Sequence, residues 1–423
     1  MTWEQRYRLR HAARTSLVLW AGLALVAALV CAPAVRWLDR ETGWVVFGFS
    51  PDGARAVLGA LVGSMLTFIV FVLSATLIVV QLASGQLTPR VIAMVFTMPG
   101  VKTTLGLFTF TYAYTLSALA RVEGQVPDLH VGVAVLLNLA CVVVFLQFVQ
   151  RLSSGLRPIT MLRRVADRGR EVIGQVYPSA YDPKRPETAT REALPAASSE
   201  VVALAGRSGV VMAFSAAELV RLARGADAVV VLVPQVGDSV AAGAPLFRVY
   251  GGTRPVSADA LGGCVAVGAE RTLDQDPRFA LRILVDIANR ALSPAVNDPT
   301  TAVLALDQIT GLLLCLGRRH LDEGQALDRD GKIRVVYGTP DWPDYVMLAV
   351  SEIRQFGGGS LQVNRRLRAM LENLIEALPE ARRPPLEEEL VLLGSAAERW
   401  FRDEADRKRA GVGDYQGVGG SDS

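Results

Sequence analysis

Residues 56–89 read AVLGALVGSMLTFIVFVLSATLIVVQLASGQLTP, and no charged residue interrupts the run between Arg55 and Arg90. A helix crosses the hydrocarbon core of a bilayer with about 20 predominantly apolar residues, so this stretch spans a membrane and continues beyond it. Its second half turns polar at Gln81, Ser84, Gln86 and Thr88 before Pro89. A secretory signal is shorter and sits at the N-terminus, and a soluble core helix does not need a run of this length. The chain therefore reads as an integral membrane protein.

Three further spans are expected around this one. Residues 17–35 follow an arm carrying Arg6, Arg8, Arg10 and Arg14; Cys31-Ala32-Pro33 offers no small-x-small cleavage site, so the run reads as a retained first span, with Trp37 and Trp44 at its far interface. Residues 103–120 form a third span rich in Thr and Tyr, and residues 129–150 a fourth. Basic residues sort the ends. The arm, the loop holding Arg90 and Lys102, and the segment with Arg151, Arg157, Arg163, Arg164, Arg168 and Arg170 fall on one side. The loops holding Asp39, Arg40, Glu41 and Asp52, and Arg121, Glu123 and Asp128, fall on the other. Positive residues stay inside, which predicts four spans in an inner membrane with both termini cytoplasmic.

Half of the 423 residues are apolar, and the net charge of +3 gives no reason to expect nucleic acid as a partner. The four cysteines, Cys31, Cys141, Cys264 and Cys315, have no CxxC spacing, so neither a disulfide framework nor a zinc site is expected.

From Arg151 the chain reads as soluble. An exit helix (152–175) leads to a Pro- and Ala-rich linker (177–199). Ser215 caps a short helix with Glu218 three residues on, and the AVVVLVP of residues 228–234 is a buried strand by its β-branched content. Residues 236–246, VGDSVAAGAPL, resemble the VGDxVxxGxxL turn of barrel-sandwich hybrid domains of the lipoyl and biotinyl carrier type. A carrier needs a lysine at a hairpin tip beyond the motif, and here none occurs before Lys332. The resemblance implies a small β-barrel without a swinging-arm cofactor. Beyond it come two amphipathic helices (277–292, and from Pro299 to residue 316), joined by a Ser-Pro-Ala-Val-Asn turn, with Asp298 as N-cap and Pro299 at the first helical position. A short strand (332–337) and three more helices follow.

The expected fold class is thus a multi-pass α-helical membrane protein with four transmembrane helices and a cytoplasmic α+β part. Its domains are a transmembrane domain (1–150), exit helix and linker (151–200), a small β-rich barrel-sandwich-like domain (201–268), a helical cytoplasmic domain (269–409) and a disordered tail (410–423). Three stretches taken together, VVQLASGQLTPR (79–90), Gln275-Asp276 and RALSPAVNDPTTA (290–302), resemble a family of bacterial predicted membrane proteins known only as domain of unknown function twenty-two fifty-four. That family brings no catalytic residues or ligand to carry over; it implies the same layout of spans first and soluble domain second.

No catalytic constellation can be assembled. His11, His130 and His320 are scattered, and HExxH, GxGxxG, P-loop and GxSxG patterns are missing. No enzyme activity, metal or cofactor is expected. One polar cluster is a candidate: Asp286, Asn289, Asn297, Asp298 and Asp307, which also reads as helix pairing, capping and turn closure. A second candidate lies on the opening span. Ser64, Thr67, Phe71, Ser74, Ile78, Gln81, Gly85 and Thr88 recur at alternating spacings of three and four and so share one face. Lipid solvates Gln81 poorly. The face lines a pore between subunits or packs tightly against another helix. The expected partners are the bilayer, further copies of the chain, and a cytoplasmic protein or small molecule. The expected function is channel-like or transport-associated, with a membrane-anchored scaffold or sensor as the alternative.

Overall fold

The computed structural model describes residues 1–45, 47–86, 88–91, 99–122, 126–155, 157–185, 198–321 and 324–419. Most of the expected linker, parts of two loops between the expected spans (92–98 and 123–125) and the last four residues of the tail lie outside the described residues. The chain forms two compact units: residues 10–157, and residues 1–9 with 158–423.

The first unit is built from four helices: Leu17–Thr42, Pro51–Gln86, Pro99–Leu119 and Asp128–Gly155, labelled α2 to α5 because the helix α1 (Trp3–Thr15) precedes them. Ser16 caps α2 by accepting the Leu19 N–H, and Gly43, left-handed at φ 59°, ends it. Helices α2, α3 and α5 carry Leu and Val outward, for example Leu23 and Val26, Leu66 and Val70, and Leu139 and Val143, the pattern of a helix solvated by lipid. Segments of these three, Leu17–Thr42, Pro51–Leu82 and Asp128–Leu152, are long and apolar enough to cross a membrane.

The fourth helix of that length and apolarity is Pro299–Gly317, in the other unit, and not the expected span at 103–120. Packing accounts for both. Helix α4 touches each of the other three, and its Val101, Leu105, Phe108, Thr111, Tyr114, Thr115 and Ala118 are buried. Its Thr111, Tyr114 and Thr115 find partners inside the bundle, so it does not need the apolarity of a lipid-facing helix. Pro299–Gly317 is apolar because it is the central core helix of the second unit, with Leu306, Ile309, Leu312, Leu313 and Leu316 fully enclosed.

In the second unit the exit helix is a separate element, α6 (Pro158–Val176), with Met161, Leu162, Val165, Ala166, Val172 and Ile173 on its buried face. The strands that follow lie in two open sheets. β1 (Glu200–Ala203), β5 (Pro245–Gly251), β3 (Ala228–Leu232), β8 (Ile333–Tyr337) and β7 (Gln325–Leu327) form one, in that order. β4 (Ser239–Val240), β2 (Gly209–Phe214) and β6 (Val265–Gly268) form the other. Among the described residues no sheet closes into the expected barrel. The turn signals are real, since Gly237 and Gly243 sit at φ 92° and 79°, but β3 takes β8 as a parallel neighbour, Val230 opposite Val335, about a hundred residues downstream. Helix α7 (Ala216–Ala226), capped by Ser215, covers this core with Leu219 and Ala223.

After the short α8 (Ala258–Gly262) come α9 (Pro277–Ala291) and α10 (Pro299–Gly317), each opened by an Asp N-cap and a Pro. Helix α6 approaches them closely at Gly169, where a Cβ would lie 2.9 Å from that of Ala280. Helices α11 (Trp342–Phe356), α12 (Leu361–Ala377), α13 (Arg383–Trp400) and α14 (Glu404–Ala410) complete the unit. The tail expected to be disordered is folded through residue 419. Asp414, 1% exposed, accepts the N–H groups of Gln416, Gly417 and Gly419. Arg365 and Arg366 of α12 donate to the tail carbonyls of Val412, Gly419, Asp414 and Tyr415. Glycine-rich composition argued for disorder, but the glycines supply the turn that wraps Asp414.

Candidate functional site

On α3 the residues buried against the bundle are Ala54, Leu58, Met65, Val72, Thr76 and Val79. Ser64, Thr67, Ser74, Gln81 and Gly85 are all exposed, on the opposite side: positions 67, 74 and 81 follow 65, 72 and 79 by two residues, a rotation of about 200°. Thr88 stands apart, buried beyond the end of α3 with its hydroxyl near the Arg90 N–H. Ser64 donates to the Leu61 carbonyl and Thr67 to the Gly63 carbonyl, so these two are satisfied within the helix. Gln81 and Ser74 have no side-chain partner among the described residues.

The second candidate cluster separates into distinct sites. Asp286 accepts from Arg282, whose guanidinium also forms two bonds to Glu352, and Asn289 donates to the same Glu352 carboxylate at 2.8 Å. The Glu352 bonds first, then Asp286, make Arg282 more basic than usual. Asp298 accepts the Thr301 N–H and hydroxyl and caps α10, while Asn297 takes the left-handed conformation at φ 48° that closes the turn before it. Asp307 accepts from Arg366, the arginine that holds the tail. No hydrogen bond or ion pair joins Asp286, Asn297 and Asp307 to one another, and no grouping of metal-ligating side chains occurs among the described residues.

Two constellations escape the sequence. The first is inside the membrane unit, where α4 and α5 share a ladder of buried polar pairs. Tyr114 Oη lies 2.8 Å from His130 Nδ1, Asn138 donates to Thr115 Oγ1 at 2.9 Å, and Cys141 to Thr111 Oγ1 at 3.2 Å. His130 Nε2 and Asn138 Oδ1 remain without a partner among the described residues. The only signal was the spacing of Thr111 and Thr115 by four residues on a span already noted as polar.

The second is the segment 271–279, RTLDQDPRF, in which successive side chains tie down different elements. Arg271 pairs with the buried Asp276 and lies where Gly237 leaves room; a Cβ on Gly237 would be 2.2 Å from the guanidinium. Asp274 accepts from Tyr7 of α1 at 2.7 Å and from Arg168 of α6 at 3.2 Å. Gln275 bonds both the N–H and the carbonyl of Phe214, as a neighbouring strand would. Asp276 caps α9, and Arg278 donates to the Val236 carbonyl. Burial raises the Asp276 carboxyl above its usual range, against the pull of Arg271. Around this hub the N-terminal arm is fixed: the Glu4 N–H donates to the Gly263 carbonyl, Arg8 to the Val267 carbonyl, and Arg6 faces Glu218 at 3.6 Å. The arm was expected only as a charge signal.

The comparisons with known proteins agree with this anatomy. The chain is 30% identical over 376 residues to uncharacterized proteins of Mycobacterium bovis and Mycobacterium tuberculosis, covering 86% of this chain and 72% of each relative. No solved structure matches. The profile of a family described as "Predicted membrane protein (DUF2254)" matches residues 14–373, from the end of α1 into α12, and so takes in the α3 face, the polar ladder and the 271–279 hub. With most of its length matched, this chain belongs to the DUF2254 family of predicted membrane proteins.

Proposed function

We propose that the protein is an oligomeric, channel-like or transport-associated protein of the cell inner membrane. In this reading α2 to α5 all span, both termini are cytoplasmic, and the soluble unit regulates the membrane unit. Helix α4 spans as the inner helix of the bundle, shielded by the other three. The observation that carries the proposal is the outward face of α3. An exposed amide at Gln81 and hydroxyl at Ser74, both without a partner among the described residues, sit on a helix whose surroundings in this reading are otherwise hydrocarbon. Each unsatisfied polar group in such a medium is unfavourable by several kcal/mol. Water or a second copy of α3 removes that penalty, and a ring of copies supplies both.

A second reading, a membrane-anchored scaffold or sensor for a cytoplasmic protein or small molecule, draws support from the soluble unit. It leaves Met347, Phe356, Val391 and Trp400 each more than half exposed. The carboxylates of the polar cluster, Asp286, Asp298 and Asp307, are engaged in pairing and capping, which supports a protein without catalytic activity of its own.

Ion flux through the purified protein in liposomes tests the first reading, with Gln81→Leu and Ser74→Leu beside the wild type. Flux that either substitution abolishes or retunes supports a shared wet path along α3. Flux unchanged by both removes α3 from the path. A monomer by native mass spectrometry in mild detergent overturns the oligomer.

A further inference from the structure

At the end of the membrane unit where α4 begins and α5 finishes, the two helices part around a cavity of about 300 Å³. Gly100 makes the opening: even a Cβ there would stay 3.9 Å from the Arg151 side chain. The walls are of two kinds. Leu107, Val144 and the buried Phe148 form an apolar side; Thr103, Thr104, Gln147 and Arg151 form a polar one.

Thr104 is 4% exposed, and its hydroxyl has no partner among the described residues. Gln147 also has none. The side chain is almost wholly enclosed but lines the cavity, so a ligand or water placed there meets an open hydroxyl. Among the described residues that line the cavity, the charged side chain is Arg151. Arg151 stands beside the first turn of α4, the positive end of that helix's dipole, and neither 99–107 nor 144–151 contains an acidic residue.

We infer that this cavity is a binding site for an anionic phospholipid. Its phosphate lies between Arg151 and the first turn of α4 with Thr104 and Gln147 as further donors, and the head of one acyl chain runs along Leu107, Val144 and Phe148. The volume sits at the lower end for ligand pockets. It holds a phosphodiester and the first methylenes, and leaves the rest of the chain to the surrounding bilayer. A zwitterionic headgroup presents a cation that Arg151 and the helix dipole repel. The site involves neither Gln81 nor an oligomer, so it stands or falls separately from the α3 pore.

Native mass spectrometry of the full chain tests it, with dioleoyl phosphatidylglycerol, dioleoyl phosphatidylcholine and inorganic phosphate as probes. The wild type is expected to retain phosphatidylglycerol about tenfold better than phosphatidylcholine, on the strength of a charge-assisted contact. Arg151→Gln is expected to erase that preference and Leu107→Trp, which fills the cavity, to remove retention of both. Thr104→Val, nearly isosteric, guards against a misfolded Leu107→Trp and is expected to weaken phosphatidylglycerol retention on its own. Equal retention of the two lipids by the wild type, or unchanged retention by Arg151→Gln and Thr104→Val, overturns the site. So does full displacement of phosphatidylglycerol by millimolar inorganic phosphate, since the head alone would then be the ligand.

Discussion

Asp414 illustrates how much one side chain organises when its charge is met by backbone donors. Burial disfavours its ionised form, but the N–H groups of Gly419 and Gly417, with Arg365 nearby, outweigh that and hold the carboxyl below the usual carboxylate range. A group whose folded pKa lies below its unfolded one contributes stability above the unfolded value and loses it as pH falls through the folded value. The tail is therefore expected to stay seated at pH 5 and above and to release as pH drops below about 4. Pepsin cleavage within residues 411–419, slow near pH 4 and fast toward pH 2, measures this. Asp414→Ala is expected to give the fast pattern at every pH. None of this was legible beforehand, because a lone Asp among glycines reads as a flexible tail and its arginines lie about fifty residues away. Asp298 is the contrast. Its partner Thr301 is three residues along, Pro299 follows it, and the cap was readable in full.

At the scale of elements, local pattern decided what could be foreseen. Helices α9 and α10 announce themselves by period and by their Asp-Pro openings. The barrel expectation failed because the turn at 236–246 fixes only the strands next to it, and β3 finds its parallel neighbour from beyond the helical hairpin. Helix α4 was the hardest to read as a span. Its Thr111, Tyr114 and Thr115 count as polar in a hydropathy sum, yet the bundle answers each with a partner from α5. Contact between elements also carries a prediction. Gly169 lets α6 approach α9 and α10, and a Cβ there would meet Ala280 at 2.9 Å and Leu312 at 3.1 Å. Gly169→Val is expected to destabilise the second unit by about 1–3 kcal/mol through overpacking, offset in small part by better helix propensity. A lowered thermal midpoint of that unit is the readout.

For the whole molecule, the notable fact is that residues 1–9 belong to the same compact unit as residues 158–423, although the four bundle helices intervene in sequence. Removing Tyr7's hydroxyl is expected to release the arm without disturbing the bundle. In Tyr7→Phe, amide exchange should rise across residues 3–9 and at Val265–Gly268, while the pattern in α2 to α5 stays unchanged. The lost bond to Asp274 is worth about 1 kcal/mol, and the arm has few others. Equal exchange in both proteins would show that the backbone contact at Gly263 holds the arm by itself.

The arm's contacts also order events in time. Tyr7 and Asp274 are 267 positions apart, so the arm is synthesised, and the bundle helices after it, well before residues 263–274 exist to receive it. Through that interval Arg6 lacks its later partner Glu218 and Arg8 has only Glu4 of the arm itself, and this is when positive residues bias how an apolar run is oriented. Once translation reaches the hub, Glu218 and the Val267 carbonyl take those same guanidinium groups out of circulation. On the topology proposed above, one pair of arginines serves first as an address during insertion and later as a latch, and the change of use is set by the order in which the chain is made.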